Sequence, residues 1–299
     1  IGLEDKKMQA YHIGFILAPC LNASGKLDTA KRALALLRAK TKKEADVLAG
    51  DLKALNESRR DMTDRVVDEA MRQVEQSSIC NDKVFVIYLP DCHESLAGLV
   101  AGRVRENYYR PVFVLTDAQE GVKGSGRSIE NYSMYEELVK CSDLLTKFGG
   151  HSMAAGLSLE KEKVDEFRKR LNEQCMLSEE ELTEKVVIDM ELPFSCVTEQ
   201  FIEELTCLEP FGKGNVKPVF AARDVIIHDL KIIGKNKNTA KAIAVDFAGN
   251  QVEALCFRDA QEFADKCEKN NGKMSITFYP GINEFRGERK KQITITHYR

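Results

Sequence analysis

The chain has 299 residues, 43% of them apolar and 30% charged, with a formal net charge of −3, which is apolar material for two or three packed domains. No apolar run approaches the ~20 residues of a membrane span, the charged start from Ile1 to Ala10 is unlike a signal peptide, and 7 prolines with no tryptophan exclude a collagen-like or low-complexity chain, so a cytoplasmic protein is expected. Nine cysteines, odd in number and without C-x-x-C spacing, argue against a disulfide framework and a structural zinc site and read as reduced thiols, most of them in cores.

The opening is an apolar run from Tyr11 to Ala18, closed by Pro19. Gly25 then supplies turn geometry and Asp28 caps a helix from Thr29 to Leu37. Residues 42–76 read as one long helix, with Ala45, Leu48, Leu52, Leu55, Met62, Val66, Ala70 and Val74 at steps of three and four. Such a helix spans about 50 Å, too long for one small domain, and suits a connector between two.

From 83 to 175 strand and helix patterns alternate, an α/β domain of ordinary size. Strands are expected at Val84–Leu89, Val112–Leu115, Val122–Ile129 and Ala155–Leu159. Helices are expected at Ser95–Tyr109, Tyr135–Phe148 and Lys161–Gln174. Residues 177–209 form an acidic connector with a strand at Val186–Met190 and a helix at Thr198–Leu205. Residues 210–299 carry 16 Lys and Arg against 10 Asp and Glu, a basic module on an acidic body, which points to an anionic partner. Its strand patterns are Val219–Asp229, Ala240–Phe247, Val252–Phe257, Met274–Tyr279 and Lys291–His297, with a helix at Asp259–Lys269 between the third and fourth. That is the layout of an OB-fold barrel. The fold class is therefore α/β plus all-β.

Five places could carry chemistry. In Lys123-Gly124-Ser125-Gly126-Arg127-Ser128, a strand would turn Lys123, Ser125 and Arg127 to one face, with glycines that let a phosphate come close; a solvated edge strand is the equal alternative. In Phe148-Gly149-Gly150-His151, two glycines could aim N–H groups at an anion and His151 could donate to it; a helix C-cap with a surface histidine is the blander reading. Asn22 to Lys26 could place a ligand contact and a lysine, or simply a turn and a cap. Asp91-Cys92-His93-Glu94 crowds possible ligands that adjacent positions seldom bring to one metal, and Asp91 or Ser95 would cap a helix. In the last module Lys231, Lys235, Lys237 and Lys241 gather near one loop, and Phe285 and Arg286 near another. Charge for a backbone and a ring for a base suit a single strand; a lysine-rich surface is the alternative. No Asp and His cluster for two metals, no G-x-x-x-x-G-K-[ST] loop and no G-x-S-x-G elbow is present.

Taken in order, these segments resemble the C-terminal part of the RecJ exonuclease family, within the DHH phosphoesterase superfamily. The run YHIGFILAPCLNASGKLDTAKRALALL is similar to the segment after the DHH domain, and LNESRRDMTDRVVDEA to the connecting helix. HESLAGLVAGRVRENYYRPVFVL, KGSGRSI and KFGGHSMAAG are similar to the DHH-associated domain, and LEPFGKGNVKPVF to the start of the OB domain. The resemblance implies the end of a DHH region at 1–40, a connecting helix at 41–80, a mixed DHH-associated domain at 81–176, the acidic connector at 177–209 and a five-stranded OB barrel at 210–299. With Ile1 opening in mid-pattern, the chain is expected to be a piece of a longer protein.

It further implies 5′-to-3′ hydrolysis of single-stranded DNA for repair and recombination, with Mn2+ or Mg2+ held by aspartates and histidines of the DHH domain and no metal ligand here. By resemblance His151 and Asn22 lie at the catalytic centre, and Lys26, Lys123, Ser125, Arg127, Ser128, Gly149 and Gly150 hold DNA phosphates. Lys235, Lys237, Lys241, Phe285 and Arg286 guide the strand on the barrel. Single-stranded DNA is the expected partner, with a helicase or single-strand-binding protein beside it and no membrane. Many family members carry Arg where this chain has Cys20 and Lys26, which removes two guanidinium forks. The chain alone is expected to bind DNA without cleaving it. The alternatives are a non-catalytic nucleic-acid-binding adaptor and a phosphoesterase for cyclic dinucleotides or short oligonucleotides.

Overall fold

The computed structural model describes residues 1–3, 8–27, 29–212, 214–234, 237–257, 259–285 and 287–299, with the side chains of residues 27 and 285 left aside. The chain divides into two compact units, Ile1–Glu184 and Lys185–Arg299.

The first unit opens with a π-helical turn, His12–Leu17, that runs into α1 (Ala18–Leu27), followed by α2 (Lys31–Arg38) and α3 (Lys42–Glu75). Gly25 lies inside α1 and makes no turn, because the apolar run continues through the buried Ala23 and the helix packs on α3. Tertiary packing here overrides the ~1 kcal/mol helix cost of glycine. The expected cap, Asp28, lies outside the described residues. Thr41 caps α3 by accepting the Glu44 N–H at 3.2 Å, which fits its favoured role at a helix start.

Next come β1 (Phe85–Tyr88), α4 (Glu94–Tyr108), β2 (Val112–Asp117), β3 (Val122–Arg127), α5 (Met134–Lys140), β4 (Leu145–His151), β5 (Ala154–Leu159) and α6 (Val164–Gln174). The sheet order is β1-β2-β3-β5-β4, parallel between β1 and β2 and antiparallel elsewhere. Alternation splits the apolar strand residues between two cores. Phe85, Ile87, Val112 and Val114 meet Ala70, Val74, Leu96 and Val100 of α3 and α4. Val84, Val86, Phe113, Leu115, Leu157 and Leu159 meet Met134, Leu138, Phe167 and Leu171 of α5 and α6.

Two further expectations need correction. The helix expected over Tyr135–Phe148 ends at Lys140, and Leu145–His151 is a strand. Its Phe148 packs into the α5–α6 core while Lys147 and Gly149 face away, a period of two that the preceding helical leucines hide. The cap of α4 is His93, neither Asp91 nor Ser95: the His93 ring accepts the Ser95 N–H. In segment 177–209, Leu177 and Leu182 belong to the first unit's core and Leu192, Phe194, Val197, Ile202 and Leu205 to the second's.

The second unit has β6 (Met190–Glu191), shorter than the strand expected there, then α7 (Glu199–Leu205), β7 (Phe220–Ile233), β8 (Thr239–Val245), β9 (Gln251–Cys256), α8 (Ala260–Lys269), β10 (Lys273–Phe285) and β11 (Glu288–Tyr298). The order β10-β11-β9-β8-β7 closes through a β10–β7 pairing into a five-stranded barrel, with α8 between the third and fourth strands, as in an OB-fold. Phe263, Phe278, Ile293 and Val225 fill it, each 1% exposed or less.

Candidate nucleic-acid interface

On the sheet of the first unit, cross-strand register sets three rows on the α4 side of the sheet. Val112, Arg127, Ala154 and His151 form one row, Val114, Ser125, Gly156 and Gly149 the next, and Thr116, Lys123, Ser158 and Lys147 the third. The rows follow each other at about 7 Å along the strands. The two middle glycines leave the floor open. A methyl added at Gly149 would meet nothing within 4 Å, and one at Gly156 only the Gly124 carbonyl at 3.8 Å. Gly124 and Gly126 serve the other face, where an added Cβ would lie 2.4 Å from Leu115 Cδ2 and 2.7 Å from Phe113 Cε1.

Arg127 dominates one end of this trough. Its Nη1 donates to the Gly126 carbonyl at 2.7 Å and to Ser125 Oγ at 3.3 Å. It is half-buried and has no carboxylate partner among the described residues. Burial first, and the neighbouring Arg105 second, pull its pKa below the ordinary arginine value. A cation desolvated beside another cation is unfavourable until an anion arrives. His151 stands in the same row, exposed, and its Nδ1 accepts the Met153 N–H at 3.2 Å. In the neutral ring this leaves the proton on Nε2, a donor free for a phosphate oxygen. Gly150, between His151 and Gly149, has φ +149, and a Cβ there would come within 2.4 Å of the Ala154 carbonyl, so this turn of the edge strand requires glycine.

The other end is more balanced. Lys123 pairs with Glu94 at 2.8 Å, and Lys147 is exposed without an ion pair among the described residues. Both line an open recess of about 770 Å³ that Glu94, Glu120 and Glu160 also line. The Arg127–His151 end is therefore the anion-seeking one.

The structure thus brings Lys123, Ser125, Arg127, Gly149 and His151 onto one sheet face. Ser128 is not on it: it is 1% exposed, and its hydroxyl donates to the Tyr132 carbonyl, so it holds the turn after β3 and is closed to a phosphate. Asn22 and Lys26 are exposed on α1 and bond to none of the trough residues. Beside Cys20 stands Arg59 of α3, which donates to Asn56 Oδ1 at 2.8 Å. Sequence reasoning missed Arg105, Lys147 and Gly156. Gly98 and Arg105, two helical turns apart, are a signal that could have found the α4 edge of the trough.

On the barrel, one register row links Lys231, Lys241, Leu255, Thr294 and Tyr279 across all five strands. Lys241 is tied to Glu253 at 2.7 Å. Lys237 is exposed in the β7–β8 turn; Lys235, Arg286 and the Phe285 side chain lie outside the described residues. Missed earlier is a cluster at the Tyr279 end, where Lys217 Nζ sits 4.3 Å from the Tyr279 ring centre and Phe211 meets that ring edge-on at 6.1 Å. The β7–β8 and β10–β11 loops flank the face that OB-folds use for oligonucleotides.

Among the described residues no three His, Cys, Asp or Glu side chains converge as a metal site, and no helix is long and apolar enough to cross a membrane.

Comparison with known proteins agrees with this fold. The family described as "DHHA1 domain" matches residues 81–176 and that described as "RecJ OB domain" matches 188–297. The chain is 34% identical to the single-stranded-DNA-specific exonuclease RecJ of Bacillus subtilis, over 95% of this chain and 36% of that protein. It is 32% identical to the exonuclease of the same name from Salmonella typhimurium, over 98% of this chain and 52% of that protein. The chain thus spans between about a third and a half of the length of these relatives. In fold it is similar to the crystal structure of RecJ in complex with Mg2+ from Thermus thermophilus, with a TM-score of 0.80 at 24% identity over 97% of this chain and 44% of that one. The chain thus carries a DHHA1 domain followed by a RecJ OB domain and is similar along nearly its whole length to part of these exonucleases.

Proposed function

We propose that this chain is the strand-gripping part of a 5′-to-3′ single-stranded-DNA exonuclease of DNA repair and recombination, in which the α/β unit holds phosphates next to the scissile bond and the barrel guides the incoming strand. The observation that carries the reading is Arg127, a half-buried guanidinium with an arginine neighbour and no carboxylate partner among the described residues, held by Ser125 and Gly126 over a glycine floor. Such a group favours a bound anion, and a phosphodiester matches its fork. His151 in the same row adds an Nε2–H donor at the edge strand. Lys26 and Asn22 would approach the same phosphates from α1.

The described residues do not fit a divalent-metal centre, so no cleavage step is assigned to them. Mg2+ or Mn2+ would be held outside this chain, and the chain alone would bind without cutting. The DNA it binds would come from a helicase or from a single-strand-binding protein.

The test is fluorescence anisotropy with a 5′-phosphorylated single strand and a duplex control. Wild type should prefer the single strand. Arg127→Gln should weaken binding about 10- to 100-fold, the worth of a charged hydrogen-bond pair. An Arg127→Gln protein that binds as wild type would sink the reading.

A further inference from the structure

We infer that Gly98 of α4 is a positioning residue for Arg127: the missing side chain at 98 is the slot in which the phosphate-gripping guanidinium sits. The inference rests on the reading of Arg127 given above. A Cβ built at Gly98 would lie 2.6 Å from Arg127 Nη2, 3.2 Å from Arg127 Cζ and 2.8 Å from Ser125 Oγ. All three are side-chain atoms of β3. The helix can therefore accept a methyl here only by expelling the guanidinium, whose Nη1 would leave the Gly126 carbonyl and Ser125.

Glycine is the poorest helix former short of proline, and Gly98 sits well inside the 15-residue α4. A glycine that costs helix stability and whose space is filled only by a ligand-binding side chain serves the site. Gly102, one turn on, is the built-in control. It is in the same helix, also half-buried, and a Cβ there meets nothing within 4 Å. Arg105, paired with Glu106 at 3.2 Å, follows at the next turn and, after burial, lowers the Arg127 pKa. Gly98 and Arg105 thus bound the guanidinium from the α4 side, one by space and one by repulsion, and leave it pointed at the open glycine floor.

The experiment compares wild type, Gly98→Ala, Gly102→Ala, Arg127→Gln and the Gly98→Ala/Arg127→Gln double variant. Each is melted, and its affinity for a 5′-phosphorylated single-stranded 20-mer is measured across a salt series. The expected result for Gly98→Ala is a melting temperature equal to or above wild type with at least fivefold weaker binding. Its salt slope should be shallower by about 0.7, one phosphate contact on a single strand. The double variant should bind no worse than Arg127→Gln alone, because both changes remove the same contact. Gly102→Ala should bind as wild type. If Arg127→Gln is weak while Gly98→Ala binds normally, the slot is not needed and the inference falls with the cleft reading intact. If Arg127→Gln itself binds normally, the cleft reading falls and takes this one with it. If Gly98→Ala melts well below Gly102→Ala, or its loss adds in full to that of Arg127→Gln, the glycine serves packing and the inference is overturned.

Discussion

The α/β unit and the barrel present positive charge in different ways. In the first, Arg127 is half-buried, bonded to the backbone of its own strand and set beside a second arginine. In the second, Lys231 and Lys237 stand in solvent on long stems and Lys241 is neutralised by Glu253, although residues 210–299 as a whole carry the basic excess. A fixed, desolvated cation has little order left to lose on binding and recognises one phosphate at one place. Solvated lysines follow the backbone anywhere, and their effect fades with salt. Net charge alone points to the barrel for the main site; the proposed site on the sheet rests instead on burial and pairing.

The largest expected effect tests whether the two units stand apart. Phe278 is fully buried and meets Phe194 edge-on at 5.7 Å. Phe278→Ala should cost about 3–5 kcal/mol, read as lost hydrogen-exchange protection in β7–β11, with β1–β5 protected as before. Equal loss in both sheets would break the comparison.

Within the first unit, the glycines of the two faces should part. Gly126→Ala drives a methyl to 2.7 Å from Phe113 and 2.9 Å from Met134, an overpacking worth about 1–3 kcal/mol. Gly149→Ala, with nothing within 4 Å, should change stability by under about 0.5 kcal/mol. Thermal melts of the pair decide it.

The barrel also has its own acid sensitivity. Burial of Asp246 would raise its pKa, but bonds from Asn250, Phe194 and Ala248 outweigh that and hold it below the usual carboxylate range. A folded-state pKa below the unfolded one gives stability that is full above pH about 4 and is lost as pH falls through the folded value. Asp246→Asn should therefore destabilise the barrel at pH 7, and its difference from wild type should close on acidification.

The smallest effect belongs to the lysines. Lys237→Gln should reduce the salt slope of single-strand binding by about 0.7, with little change in preference over duplex. A loss of preference there would move recognition onto the barrel.

Much of this was legible in the sequence, for local reasons. The long helix, the five barrel strands and β3 carry their own periodicities. β4 was hidden because Leu138, Leu144, Leu145 and Phe148 also fit helical spacing, and only the Phe148 contact with the core breaks the tie. The acid-rich stretch after 176 masked Leu182 and Leu192, which belong to two different cores. The trough had readable ends, Ser125-Gly126-Arg127 and Gly149-Gly150-His151. Its rows depend on strand register across some 25 residues, which no short window contains. Ser128 differed from Ser125 only by which way the chain turns after β3.

The most direct test of the central claim is hydrogen exchange of the whole chain with and without a 5′-phosphorylated single strand. The expected result is slowed exchange in the edge strand at Gly149–His151 and beside Arg127 at the end of β3, abolished by Arg127→Gln. Slowing confined to the barrel strands, with the β3–β4 face unchanged, would contradict it.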